Sequence, residues 1–409
     1  MRITRDSKQK RNFTDKMKAS VENPYFQKHV STVFVVGSPL QLLCAIEAEK
    51  ELEVDDKKYV LVLRPNWSRN DQLLYMANSF NISYDIVYTD DLLYDDMVVG
   101  QGFFADRDTC PKYQRLVVGE YFDTYSYCAA YKYATTGSYM IYLDDGNASI
   151  ALLEGKSDVP RPTILRKKLL WFFRQKKVRY ESRDKYAAFF KERGILCTNS
   201  FFTLFDSVKS RYVIYPNNFA HIQTLLPSAK ATTNVVLIVG PMFEDIVDMC
   251  NIEQEKIEAI FWEKLSQIKA QYSNQSIWYI PHGRDNNPNI PMFCDILGIE
   301  YKKIPEALEW FVIKNNIKPV AVYGQCSTAL YTLKKMMPDI QVVNWFLDKE
   351  YDNPIYFRDC IKADAYLRIG IIEERIKFPK LSIKEKINRI KADIQSLIDW
   401  TKERILKIK

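Results

Sequence analysis

Thr32-Val-Phe-Val-Val36-Gly-Ser-Pro39 is a run of apolar and β-branched residues cut off by glycine, serine and proline. A run this short, ended by turn formers, reads as a strand buried on both faces. Apolar residues at Leu40, Leu43, Ile46 and Ala48 follow at helical spacing. A strand that feeds straight into a helix is the first half of a βαβ unit, so a parallel sheet is expected.

The same alternation extends outward from this stretch. Strands are expected over 59–63 and 86–88, with a helix over 72–80, and a strand over 139–143 closes the first series. A second series begins at Asn234-Val-Val-Leu-Ile-Val239, ended by Gly240-Pro241. It continues with a helix over 252–272, a strand over 277–280, a helix over 307–315, a strand over 319–323, a helix over 327–337 and a strand over 341–345. Two doubly wound α/β units follow, with no sequence repeat between them. A chain of 409 residues also exceeds what one core usually holds. The expected boundaries are a basic tail over 1–30, domains over 31–228 and 229–375, and an amphipathic helix over 376–409. That last stretch sets Ile383, Ile387, Ile390, Ile394, Leu397 and Ile398 on one side.

Composition narrows the function classes less. With 47% hydrophobic and 27% charged residues the chain has a globular profile. A net charge of +7 suits an anionic substrate, an anionic membrane surface or nucleic acid, and does not choose among them. No recognition motif accompanies the charge, which argues against nucleic acid. The eight cysteines stand singly, without zinc spacing, and read as reduced thiols in a cytoplasmic protein. No apolar run approaches the roughly 20 residues of a spanning helix, and the polar, basic N-terminus lacks the apolar core of a secretory signal. Residues 161–185 carry ten Lys and Arg among Leu169, Trp171, Phe172 and Phe173. This segment admits a solvated helix, a membrane-surface helix or a groove for an anionic acceptor.

Three short motifs carry chemistry, each at the carboxyl end of an expected strand, where open α/β sheets bind ligands. Asp144-Asp145-Gly146 follows the first-series strand over 139–143. Neighbouring residues leaving a strand point to opposite faces, so one carboxylate can be held by backbone donors while the other serves as a general base. A turn, or a Mg²⁺ site, is the other reading of the pair. Asp90-Asp91 and Asp95-Asp96 are read as solvated charges. His282, one of three histidines, follows the strand over 277–280 and could assist a phosphate leaving group, with Arg284 beside it. Ser327-Thr328 opens a helix after Gly324. Its backbone N–H groups, dipole and hydroxyls form an anion site, or the serine is simply a helix cap.

These motifs, in this order, resemble the bacterial sialyltransferases: the lipooligosaccharide, multifunctional and capsule polysialyltransferase group. That group's pattern is an acidic pair with glycine, then His-Pro, then Ser-Ser or Ser-Thr. Gly37-Ser-Pro-Leu-Gln41, Gly240-Pro-Met-Phe-Glu-Asp245 and Ser327-Thr-Ala-Leu-Tyr331 look like further islands of it. Gly283 stands where the group has proline, which loosens the loop that carries His282.

The resemblance implies a GT-B type glycosyltransferase, two Rossmann-like domains facing across a cleft, with the first on the acceptor side and the second binding CMP. It implies CMP-sialic acid as donor, inversion, and neither metal nor cofactor. Asp145 becomes the base, with Asp144 as alternate, and His282 the residue that contacts and releases the CMP phosphate. Ser327 and Thr328 become phosphate ligands, Glu309 the ribose ligand, and Gly240 and Gly324 complete the donor side. The acceptor would be a galactose-terminated lipooligosaccharide or capsule glycan, with residues 94–115 as specificity loops. The enzyme would be cytoplasmic and peripheral on the inner membrane face; a homodimer is left open. Alternatives are a polysialyltransferase, a transferase of another CMP-activated nonulosonate or Kdo, and a non-catalytic assembly or binding protein with a degenerate fold, which Gly283 would favour.

Overall fold

The computed structural model describes residues 23–376, apart from 68, 120, 122, 145, 147, 154–178, 207–209, 211, 227–233, 242, 244–245, 248–252, 284, 286, 326 and 348–369. Residues 1–22 of the expected tail, residues 377–409 of the expected C-terminal helix and most of the basic segment lie outside the described residues, as do Asp145 and Arg284; residues 23–30 are described and bury Phe26 and Val30.

The described strands form two all-parallel sheets. The first contains β1 (Thr32–Val36), β2 (Lys57–Leu63), β3 (Tyr84–Tyr88), β4 (Tyr113–Val118), β5 (Ala134–Tyr142), β6 (Leu196–Thr203) and β7 (Val213–Pro216), in the order β3-β2-β1-β4-β5-β6-β7. The second contains β8 (Val235–Val239), β9 (Ser276–Ile280), β10 (Glu300–Tyr301), β11 (Ala321–Gly324), β12 (Gln341–Leu347) and β13 (Ile372–Ile376), in the order β10-β9-β8-β11-β12-β13. Each sheet therefore reverses direction beside its first strand, at β1/β4 and at β8/β11. Those are the points where doubly wound sheets open a crevice for ligands. Both first strands are buried throughout, as their unbroken apolar runs require.

The helices that matter for the site are α1 (Pro39–Glu51), α2 (Arg69–Ser79), α3 (Leu308–Lys314) and α4 (Thr328–Met336). The first of them starts on a capping box. The Ser38 hydroxyl accepts from the Gln41 N–H at 3.3 Å, and the Gln41 amide oxygen turns back to accept from the Gly37 N–H at 2.8 Å. Gly119 must lack a side chain there, because a Cβ would lie 2.1 Å from that amide oxygen. Thus the Gly37–Gln41 island is a local device that turns the chain at the end of β1.

Two Rossmann-like domains facing across a cleft are what the sequence leads one to expect, and the structure has them. The element list needs corrections. The strand over 139–143 does not close the first series: β5 lies between β4 and β6. The missed β4 contains Arg115, whose charge interrupts the apolar run although the residue is fully buried. Its guanidinium donates to Thr32 Oγ1 at 3.0 Å and to the Gln27 carbonyl at 2.8 Å, which satisfies it inside the core. The missed β6 hides Thr198, whose hydroxyl donates to the Met140 carbonyl, and Ser200, whose hydroxyl is buried without a hydrogen-bond partner. Residues 94–115, expected as loops, include a helix at Tyr94–Val99 and the start of β4. Asp90 and Asp95 are exposed, as expected of solvated charges.

Candidate functional site

A cavity of about 510 Å³ lies between the domains, within the size range of small-ligand sites. Ser38, Arg69, Gln72 and Gly146 line it from the first domain, and Gly240, His282, Glu306, Glu309, Gln325, Ser327 and Thr328 from the second. Each domain thus presents the carboxyl ends of its strands to the other.

Asp144 is completely buried and both its oxygens are engaged: Oδ1 accepts from the Thr203 hydroxyl at 2.6 Å and Oδ2 from the Leu204 N–H at 2.7 Å. Burial pushes its carboxyl up to about 6, against the pull of these donors, a Ser149 hydrogen bond and the Lys335 charge. Asp144 therefore anchors the end of β5 to the end of β6. It is the member of the pair held by internal donors. Gly146 follows in the left-handed region, at φ +74°, and a Cβ on it would lie 2.8 Å from Thr328 Oγ1. Glycine is needed there twice over, for the backbone and for the contact. The first motif thus abuts the third across the cleft.

Helix α4 makes that juxtaposition firm. Ser327 is its N-cap, with the hydroxyl accepting from the Ala329 N–H at 3.3 Å, so the capping reading holds for that side chain. Thr328 is the first helical residue. Near the other end of the helix Lys335 reaches into the first domain and donates to the Asn217 carbonyl at 2.8 Å and the Leu204 carbonyl at 3.1 Å. Leu204 thus binds Asp144 through its N–H and Lys335 through its carbonyl. One peptide segment ties the acidic loop to the Ser-Thr helix.

His282 is half-buried at the end of β9, and its Nε2 lies 3.0 Å from Nη2 of Arg69 on α2. Gly283 has no left-handed φ; a Cβ on it would meet the Gln72 amide at 3.3 Å. Its small size makes room for Gln72, whose Nε2 donates to the Ile304 carbonyl at 3.3 Å. Gly240 lines the cleft, and Tyr279 forces its lack of a side chain, since a Cβ would sit 2.4 Å from the phenol oxygen. Gly324, by contrast, is not a lining residue. Its missing side chain lets β11 close on Val239 and Leu330.

Of the two glutamates in Ile304-Pro-Glu306-Ala-Leu-Glu309, both line the cavity and burial raises both carboxyls above the usual range. Glu309 accepts from the Thr332 hydroxyl. Glu306 keeps Oε2 buried and without a hydrogen-bond partner. Gln325 has both amide atoms buried and unsatisfied at the cavity wall. Such groups are costly unless a ligand completes them. Sequence reasoning missed Glu306, Gln325, Arg69 and Gln72. The signal for Gln325 was its place between Gly324 and Ser327 at a strand end; for Arg69 and Gln72 it was the loop and helix start just after β2. Among the described residues no group of three or more His, Cys, Asp or Glu could hold a metal ion.

No family model matches the chain, and no curated protein matches it in sequence. Solved structures resemble it in layout. A 2,6-sialyltransferase from a Photobacterium species, in complex with CMP and lactose, is 12% identical over 84% of this chain and 78% of that one, with a TM-score of 0.44. A putative UDP-N-acetylglucosamine 2-epimerase from Listeria monocytogenes is 13% identical over 81% and 82%, with a TM-score of 0.46. MurG from Acinetobacter baumannii is 10% identical over 90% and 92%, with a TM-score of 0.40. Likenesses of this order carry no information about substrate.

Proposed function

We propose that the protein is an inverting, metal-independent sialyltransferase that moves sialic acid from CMP-sialic acid to a galactose-terminated glycan. The observation that carries this reading is the convergence of the acidic loop, His282 and the N-terminus of α4 in one interdomain cavity, with Gly146 packed against Thr328.

The chemistry suits such a donor. Its anomeric carbon is tertiary and bears a carboxylate, so the bond to phosphate breaks with oxocarbenium character and negative charge grows on the leaving phosphate. The backbone N–H groups at the start of α4, the Thr328 hydroxyl and His282 lie on the second domain, where they can take up that charge. One such preorganised donor is worth about 3–4 kcal/mol. Asp145 is assigned as the base that deprotonates the acceptor hydroxyl, worth about 10²–10⁴-fold. Asp144 is assigned as its anchor, a role that its hydrogen bonds to Thr203 and Leu204 support. With the base loop on one wall and the phosphate site on the other, the sugar lies between them. Attack from the side opposite the leaving group inverts the anomeric centre. We assign the ribose contact to Glu306, whose Oε2 is open, with Glu309 as its buried neighbour bound to Thr332.

Asp145→Asn tests the assignment. Turnover of CMP-sialic acid should fall at least about 100-fold while CMP still binds. Full activity in that variant would remove the base from the mechanism.

A further inference from the structure

If the donor is CMP-sialic acid, as proposed above, it brings two negative charges, one on the phosphodiester and one on the sugar carboxylate. The cavity has a separate place for each. The phosphate faces the second domain, at the N-terminus of α4, where the helix dipole favours an anion. The first-domain wall is mostly neutral: Ser38, Pro39, Leu40, Gln72 and Gly146. Arg69 is the exception, and it is the one permanently charged cation among the described lining residues.

We infer that Arg69 is a donor-binding residue contributed by the first domain, and that its guanidinium receives the sialic acid carboxylate. Three observations support it. Arg69 is half-buried in the first turn of α2, so its charge is partly desolvated without being lost in the core. Its guanidinium carbon lies 5.7 Å from the centre of the Trp67 ring, which flanks it. Its Nη2 reaches across the cavity to within 3.0 Å of His282 Nε2, one of the groups assigned above to the departing phosphate. The carboxylate sits on the same anomeric carbon as that phosphate, so a group that reaches His282 from the acceptor side also reaches the carboxylate. A guanidinium matches a carboxylate with two parallel N–H donors, which an ammonium cannot do.

The contact also fixes the histidine. A guanidinium only donates, so Nε2 of His282 accepts and the ring proton sits on Nδ1. Before Nε2 can donate to the phosphate, Arg69 must move off it and Nε2 must take up a proton from solvent, which makes the ring an imidazolium. Capture of the carboxylate supplies that movement, so a CMP-sugar lacking the carboxylate leaves the histidine occupied.

The test is calorimetric titration of wild type, Arg69→Ala and Arg69→Lys with CMP and with hydrolysis-resistant CMP-3-fluoro-sialic acid. Arg69→Ala should lose about 10- to 100-fold on the sialic acid ligand, the range for a charge-assisted contact, and stay within about twofold on CMP. Arg69→Lys should restore part of the loss. Imidazole ¹⁵N spectra of the empty protein supply an independent readout, tractable because the chain has three histidines. Wild type should show His282 as the Nδ1–H tautomer, and Arg69→Ala should release that bias. Equal losses on both ligands, or none on either, would overturn the assignment while leaving the sialyltransferase reading in place. A wild type that binds neither ligand removes the reading and the inference together.

Discussion

Gly146→Ala probes the contact between the acidic loop and the Ser-Thr helix. Two costs arise. An alanine at φ +74° pays about 1–2 kcal/mol for the left-handed region. Its methyl would also stand 2.8 Å from Thr328 Oγ1, closer than real Cβ atoms come, with Thr328 Cβ at 3.7 Å and Cγ2 at 3.8 Å. The two walls must then part by several tenths of an ångström, with about 1–3 kcal/mol for the overpacking. The second cost disappears if Thr328 is also alanine, since only the ordinary 3.7 Å contact remains; the first does not. Turnover of CMP-sialic acid, measured as kcat/KM for the four members of the cycle, separates them. Gly146→Ala should lower kcat/KM at least about tenfold in wild type and clearly less in Thr328→Ala, leaving a coupling of at least about 1 kcal/mol. Additivity within about 0.5 kcal/mol would mean that the two motifs do not touch, and the cavity as described would be wrong.

Three further outcomes follow from the buried polar groups. Asp144 carries a carboxyl raised to about 6, so its folded state prefers the proton. The stability it contributes is full below about pH 4 and is lost as pH rises through about 6, a difference of about 3 kcal/mol. Denaturant unfolding should therefore show wild type losing that amount relative to Asp144→Asn across this window; a constant difference refutes the assignment. Gln325→Leu should leave stability unchanged or slightly raised, because it deletes an unsatisfied buried amide, yet weaken donor binding about tenfold. Unchanged donor affinity would mean that the amide meets no ligand. Glu306→Gln should weaken CMP binding about tenfold, whereas Glu309→Gln should act mainly on the melting temperature through Thr332; the reverse pattern would return the ribose contact to Glu309.

The strands that position the site were legible wherever an apolar run met a glycine or proline stop, as at Val36-Gly37 and Val239-Gly240. They were hidden wherever a buried polar residue broke the run. Arg115 in β4 and Thr198 in β6 are satisfied by partners far away in the chain, which no local pattern announces. The same holds for the site. Asp144-Asp145-Gly146, His282 and Ser327-Thr328 could be placed at strand ends from sequence. Which aspartate is the anchor could not, because Thr203 and Leu204 lie 59 and 60 residues further on, in and just after a strand that sequence did not reveal. Arg69 escaped notice because the helix over 72–80 was begun three residues late, and its partner His282 is 213 residues away. Gly283 lies against the Gln72 amide, a neighbour 211 residues away that sequence does not announce.

The central claim is that this cavity cleaves a CMP-activated sialic acid. Incubation of the purified protein with CMP-sialic acid, UDP- and GDP-sugars, with release of each free nucleotide followed by chromatography, tests it most directly. CMP should be released from CMP-sialic acid, faster with a galactose-terminated acceptor, and the release should be lost in Asp145→Asn. Turnover of a UDP- or GDP-sugar with no release from any CMP-sugar would contradict it.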